Sequence, residues 1–218
     1  RMTHGTPWVR MKVAASLDGQ TALENGVSQW ITSAPARDDG HAWRARACAV
    51  LTGIGTVLED DPQLDVRAVP TPRQPTLVVM DSQLETPLTA KLFLPERPVW
   101  IYCAVDHAER RQALEAKGAQ VICLPNATGK VDLAAMLKDL GAKHINEVHV
   151  EAGHKLNGSL LREGLVDELL TYLAPKLMGQ GRGMTNLGPF TTLNDAKALS
   201  FHEVTQIGSD LRILARLS

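Results

Sequence analysis

Short runs rich in β-branched residues recur along this chain at regular intervals, and segments with helical spacing lie between them. That alternation restricts the fold more than any other feature. Residues 8–15, 47–52, 76–81, 99–102, 120–124, 147–151 and 168–174 read as strands. Residues 36–46, 108–117, 133–140 and 156–163 read as helices. Strands that alternate with helices predict an α/β fold with a mostly parallel sheet covered on both faces. The pattern breaks near the end. Residues 199–207 and 211–217 form two strand-like runs joined at Gly208-Ser209-Asp210, which predicts an antiparallel hairpin closing the sheet. No linker divides the chain, since the proline-rich stretch 70–75 is too short, so one domain over 1–218 is expected.

Composition excludes several classes. The formal net charge of −1 supplies no basic face for nucleic acid. No apolar run reaches the roughly 18 residues of a membrane span, and the first residues lack a signal-peptide core. Cys48, Cys103 and Cys123 are odd in number and have no paired spacing. They predict inert thiols in a reducing compartment, hence the cytoplasm. The histidines fit no common metal-ligand spacing, so no metal is expected.

In open parallel sheets ligands bind beyond the carboxyl ends of strands. Gly53-Ile54-Gly55-Thr56 follows one strand, and two glycines there allow a backbone to approach a ligand or simply to turn. After residues 147–151 comes Gly153-His154-Lys155-Leu156-Asn157-Gly158-Ser159, a glycine-bearing loop feeding a helix N-terminus. Such a loop offers free N–H groups to an anion, or is an ordinary turn. Glu151 stands beside it, either as an acceptor for heterocycle N–H groups or as a flanking charge. Ser28, Arg44 and Arg67 could hold an anionic substrate, although an arginine on a helix is usually solvated. The bottom-up reading is an α/β domain with two backbone-rich anion pockets.

Taken together, Ala15-Ser16-Leu17-Asp18-Gly19, Ser28-Gln29-Trp30-Ile31-Thr32, Asp60-Asp61-Pro62, Val150-Glu151-Ala152-Gly153, Ala174-Pro175-Lys176-Leu177 and Gly208-Ser209-Asp210-Leu211 resemble the reductase domain of the bifunctional riboflavin-biosynthesis deaminase/reductase family. The resemblance runs the length of the chain. It implies a dihydrofolate-reductase-like fold, with a mostly parallel mixed sheet, helices on both faces and the C-terminal hairpin. It implies NADPH held by Ala14, Trp30, Thr56, Asp60, Ser82 and the loop Gly153, His154, Lys155, Leu156, Asn157, Gly158, Ser159. Substrate would touch Ser28, Arg44, Leu64, Arg67 and Glu151. His154 departs from the family pattern, where a small residue or proline is common.

The implied reaction reduces 5-amino-6-(5-phosphoribosylamino)uracil to its ribityl counterpart, by hydride transfer to C1′ of the ring-opened imine. Lys12, Asp60, Glu151 or water could supply the proton. A homodimer or higher homo-oligomer is also implied. The family's zinc deaminase carries His-x-Glu together with Pro-Cys-x-x-Cys, and that set is absent. The start at Arg1-Met2 resembles the junction after the deaminase, so the C-terminal half of a longer chain is expected. The alternatives are a related reductase acting on the 2,5-diamino pyrimidine and a non-catalytic nucleotide-binding module.

Overall fold

The computed structural model describes residues 5–217. The expected junction at Arg1-Met2 lies outside them. In chain order the main elements are β1 (Trp8–Ser16), β2 (Gln20–Leu23), α1 (Ala34–Arg46), β3 (Ala49–Gly53), α2 (Ile54–Asp60), β4 (Thr76–Met80), β5 (Val99–Cys103), α3 (Ala108–Glu115), β6 (Ala119–Cys123), α4 (Leu133–Ala142), β7 (Glu147–Val150), α5 (His154–Arg162), β8 (Glu168–Ala174), β9 (Gly181–Gly183), β10 (Leu199–Ile207) and β11 (Asp210–Leu217). They fall into two compact units: a first of residues 1–8 and 41–152, and a second of residues 9–40 and 153–218.

In the first unit the strands run β7-β3-β4-β5-β6, all parallel. Alternation divides their side chains between two faces. Val50, Leu77, Val79, Val99, Ile101 and Val121 join one core cluster with Val57 of α2 and Leu114 of α3. The other face carries Trp100 and Tyr102, which meet α4. Tyr102 donates to Asp139 at 2.5 Å, and the Lys143 ammonium lies 5.6 Å from the Trp100 ring centre. Burial first, then the Asp139 bond, pushes the Tyr102 phenol well up. Helices therefore cover both faces of this sheet, which is why its strands read as nearly unbroken apolar runs. In α4, Leu133, Met136, Leu137 and Leu140 are buried at helical spacing. Asp132 caps that helix by accepting from Ala135 N–H at 2.8 Å, a bond worth about 1 kcal/mol.

In the second unit the order is β10-β11-β8-β1. β1 and β8 are parallel, while β11 is antiparallel to both β8 and β10. The hairpin turns at Gly208-Ser209, between the paired Ile207 and Asp210. Gly208 takes φ 61° and Ser209 keeps a negative φ, as a type II′ turn requires. Asp210 is buried and accepts from Ser33 N–H and Oγ, both at 2.7 Å, so the hairpin tip fixes the approach to α1. Arg10 and Glu168 form a buried pair at 2.7 Å across β1 and β8. β2 and β9 make a separate antiparallel pair.

Two sequence expectations are corrected, and two strands were missed. Residues 54–60 are not a glycine turn: α2 starts at once after β3. Residues 154–159 are not a loop: α5 begins at His154, and Gly153 is its N-cap. β2 and β9 were invisible to hydrophobic periodicity, because strands of four and three residues are too short to display it.

Candidate active site

In the first unit, the C-terminal end of α1 and the end of β7 bring Arg44 and Glu151 together. Glu151 follows the last residue of β7, and its N–H continues the ladder to Leu51 C=O at 2.8 Å. Arg44 donates to its carboxylate twice, Nε to Oε1 at 2.5 Å and Nη2 to Oε2 at 3.0 Å. The side chains are only 13% and 12% exposed. Arg44 is thus not a solvated helix residue but half of a fork-to-fork ion pair. Its Nη1 donates to Asp65 C=O at 2.6 Å, which fixes the third side of the guanidinium. Burial works against the Arg44 charge, and the Glu151 carboxylate outweighs it, so the guanidinium is held more firmly protonated than usual.

The segment after α2 completes this cluster. Arg67 is exposed and pairs with the Asp65 carboxylate. Its N–H donates to His41 Nδ1 at 3.4 Å. Leu64 takes a left-handed φ of 52°, and its side chain is buried in the core cluster. The expected substrate contact at Leu64 is therefore open only to its backbone, and Arg97 Nη1 already donates to that carbonyl at 2.5 Å. Burial pushes Arg97 down to about 10, with Asp65 opposing and Arg44 assisting, so it remains a cation at neutral pH. Three guanidiniums against two carboxylates leave the cluster net positive. His41 is held below its ordinary value by burial first, then by Arg44 and Arg67. His41, Asp65, Arg97 and the buried His149, whose Nε2 lies 3.4 Å from Glu151 Oε1, were missed in the sequence. They belong to no motif, and only the alternation along residues 147–151 places His149 on the same face as Glu151.

The other expected residues of this unit are more dispersed. Thr56 lies half-buried in the first turn of α2, and Asp60 ends that helix on the surface. Ser82 occupies the turn after β4, where its carbonyl accepts from Ala104 and Val105 N–H, each at 3.0 Å. Its neighbour Asp81 is fully buried and accepts from Glu85 N–H, Thr86 N–H and Thr86 Oγ1 at 2.9, 2.7 and 2.6 Å. That carboxylate holds the following loop in place.

In the second unit the candidate cofactor group is the start of α5. No side chain caps this helix, so the N–H groups of His154, Lys155 and Leu156 have no partner within it. Asn157 N–H closes the first turn to Gly153 C=O at 3.1 Å. Asn157 is buried, and its Nδ2 donates to Met184 C=O at 3.2 Å while Oδ1 has no hydrogen-bond partner. The uncapped N–H groups fit a cofactor phosphate, whereas the buried Asn157 Oδ1, an acceptor, calls for a donor instead. Gly158 and Ser159 lie within the helix rather than in a loop, a second consequence of its early start. A Cβ on Gly158 would strike the Asn186 backbone, and Ser159 Oγ donates to Lys155 C=O at 3.2 Å.

Elsewhere in this unit Trp30 is 62% exposed, and the Arg37 guanidinium stacks 4.5 Å from its ring centre. Ser28 is half-buried in the segment between β2 and α1. Lys12 and Ala14 are half-buried on β1, in register with Leu170 and Tyr172. The Ala-Ser-Leu-Asp-Gly segment has a mechanical explanation. Asp18 accepts from Ser16 Oγ at 2.5 Å and from Gly179 N–H at 2.8 Å. Those bonds, Ser16 foremost, hold its carboxyl down at about 2.

Cys103 and Cys123 face each other across β5 and β6. Burial first, then Cys123, pushes the Cys103 thiol up to about 12, and an inert thiol follows. His107-Ala108-Glu109 has the His-x-Glu spelling, but no cysteine pair accompanies it. Among the described residues no group of three or more His, Cys, Asp and Glu could hold a metal.

Comparison with known proteins gives the family and the fold. The family described as RibD C-terminal domain matches residues 7–213. Riboflavin biosynthesis protein RibD of Haemophilus influenzae is 39% identical over 98% of this chain and 59% of its own length. Acinetobacter baumannii RibD superposes with a TM-score of 0.89 at 36% identity, over 100% of this chain and 60% of that one. A Thermotoga maritima diaminohydroxyphosphoribosylaminopyrimidine deaminase/5-amino-6-(5-phosphoribosylamino)uracil reductase follows at TM-score 0.84 and 25% identity, over 99% and 58%. The chain thus spans about three fifths of the relatives it matches. By this match and by its fold, the chain belongs to the RibD C-terminal domain family.

Proposed function

We propose that this chain is an NADPH-dependent reductase that converts 5-amino-6-(5-phosphoribosylamino)uracil to 5-amino-6-(5-phosphoribitylamino)uracil. The observation that carries the reading is the Arg44–Glu151 pair within a net-positive cluster, on a chain of the RibD C-terminal domain family. Arg67 holds the substrate phosphate, with Ser28 assigned to it by the family resemblance, while Arg44, engaged on three sides, orients Glu151, which accepts from pyrimidine N–H groups. The Thermotoga maritima relative is named both for a deaminase and for this reductase. This chain lacks the Pro-Cys-x-x-Cys half of the zinc motif set, which favours the reductase portion of the longer bifunctional chain.

NADPH, when bound, supplies the hydride. Its phosphates suit the uncapped N–H groups of His154, Lys155 and Leu156 with Gly153 before them; Ala14, Trp30, Thr56, Asp60 and Ser82 are assigned to it by the family resemblance alone. Phosphorylated cofactor is favoured over NADH because the Asp81 carboxylate is engaged by Glu85 and Thr86 and is not offered to a ribose hydroxyl. Glu151 accepts two guanidinium bonds and acts as an acceptor, which leaves Lys12, Asp60 or water to deliver the proton. The remaining chemistry is orientation: the fixed fork of Arg44 holds the ring-binding carboxylate still.

Among the described residues no helix is long and apolar enough to cross a membrane. The three free thiols support a reducing, cytoplasmic setting. A homo-oligomer is supported by the edge strand β10, whose Phe201 and Val204 are 74% and 55% exposed.

Activity is tested by following NADPH oxidation with the phosphoribosylamino uracil and, separately, with the undeaminated 2,5-diamino pyrimidine. Turnover of the first alone is expected. Preference for the second would assign the chain to the related reductase, and binding of NADPH without turnover of either would make it a nucleotide-binding module.

A further inference from the structure

We propose that His149 is a positioning residue for substrate binding, acting through Glu151; this rests on the reading of Glu151 as a substrate ligand. His149 and Glu151 are two residues apart at the end of β7, so their side chains leave the sheet on the same face. The imidazole is completely buried, in register with Val50 on β3, and its Nε2 stands 3.4 Å from Glu151 Oε1. A polar ring in such a place lowers stability unless its nitrogens are used. Arg44 alone does not fix the carboxylate against tilting about the guanidinium plane, because both of its bonds lie in that plane.

With its proton on Nε2, the imidazole presents a polar contact to Oε1 at 3.4 Å. Arg44 Nε donates to the same oxygen and Nη2 to Oε2, so the contact from His149 bears on one side of the carboxylate only. His149 thus limits the tilt of the carboxylate that meets the substrate.

Amide replacements separate this role from packing. Glutamine places an N–H donor near the position of imidazole Nε2, and asparagine places its donor near Nδ1. His149→Gln is expected to keep the substrate KM within about twofold of the parent, whereas His149→Asn and His149→Leu raise it about tenfold, the effect of losing one polar contact on the carboxylate. Both kcat and NADPH affinity, the latter measured by calorimetry, stay near parental values. In a Glu151→Gln background, His149→Leu is expected to add nothing further. The inference is overturned if Asn performs as well as Gln, or if the His149→Leu loss persists undiminished beside Glu151→Gln. A parental kcat/KM in Glu151→Gln alone would instead remove the underlying assignment of Glu151, and with it the inference.

Discussion

Arg44 and Arg67 carry the same charge and both serve substrate binding, yet the structure gives them different energetics. Arg44 is nearly buried against Glu151, so Arg44→Ala strands a carboxylate. It is expected to cost about 3–5 kcal/mol of stability and to raise the substrate KM. Arg67 is 57% exposed against Asp65, so Arg67→Ala should change stability by about 0–1 kcal/mol. Its substrate KM should still rise by about one to two decades, the loss of a charge-assisted phosphate contact. Denaturant melts beside steady-state kinetics separate the two; equal melts would mean that the Arg44–Glu151 pair is not structural.

His41 adds a pH dependence at the same scale. Burial, Arg44 and Arg67 hold its imidazole below the ordinary 6.5, so folding favours the neutral ring. The unfolded chain therefore binds more protons as the pH drops below that value. The stability His41 contributes is present above pH 6.5 and is lost as pH falls through its folded value. His41→Asn keeps an acceptor for Arg67 N–H and removes the titration. Its melting temperature should fall less than the parent's between about pH 7 and about pH 5. Parallel curves would show that His41 is not the group responsible.

Among elements, α5 shows how two glycines of one motif do different work. Gly153 takes φ −75° and ψ 165°, a conformation valine adopts without strain. Gly153→Val should leave the melt unchanged and abolish NADPH binding, since its side chain would crowd the uncapped N–H groups. Gly158 lies against the Asn186 backbone, so Gly158→Ala should cost about 1–3 kcal/mol. Calorimetry and thermal melts on both variants check the division, and normal cofactor affinity in Gly153→Val would mean that this turn only caps the helix. The sequence displayed α5 only from Leu156 on, because glycine, asparagine and serine are weak helix formers and its first turn is set by tertiary packing. The strands of the first unit were legible for the opposite reason: burial on both faces writes long apolar runs. Arg44 and Glu151 were legible separately as candidate ligands. Their pairing was not, since nothing local relates residues 107 apart in sequence.

For the whole molecule the account makes one statement about the cofactor and one about the chemistry. With Asp81 satisfied by its own loop, NADPH should bind more tightly than NADH; calorimetry showing equal or tighter NADH binding would remove that argument. The central claim is hydride transfer to C1′ of the phosphoribosylamino substrate. NADPH deuterated at both C4 positions tests it most directly, because the label then reports transfer whichever face is used. Incubation with 5-amino-6-(5-phosphoribosylamino)uracil should give a ribityl product carrying one deuterium at C1′, formed in step with cofactor oxidation. Oxidation without label at C1′, or no oxidation by the folded, NADPH-bound protein, would contradict it.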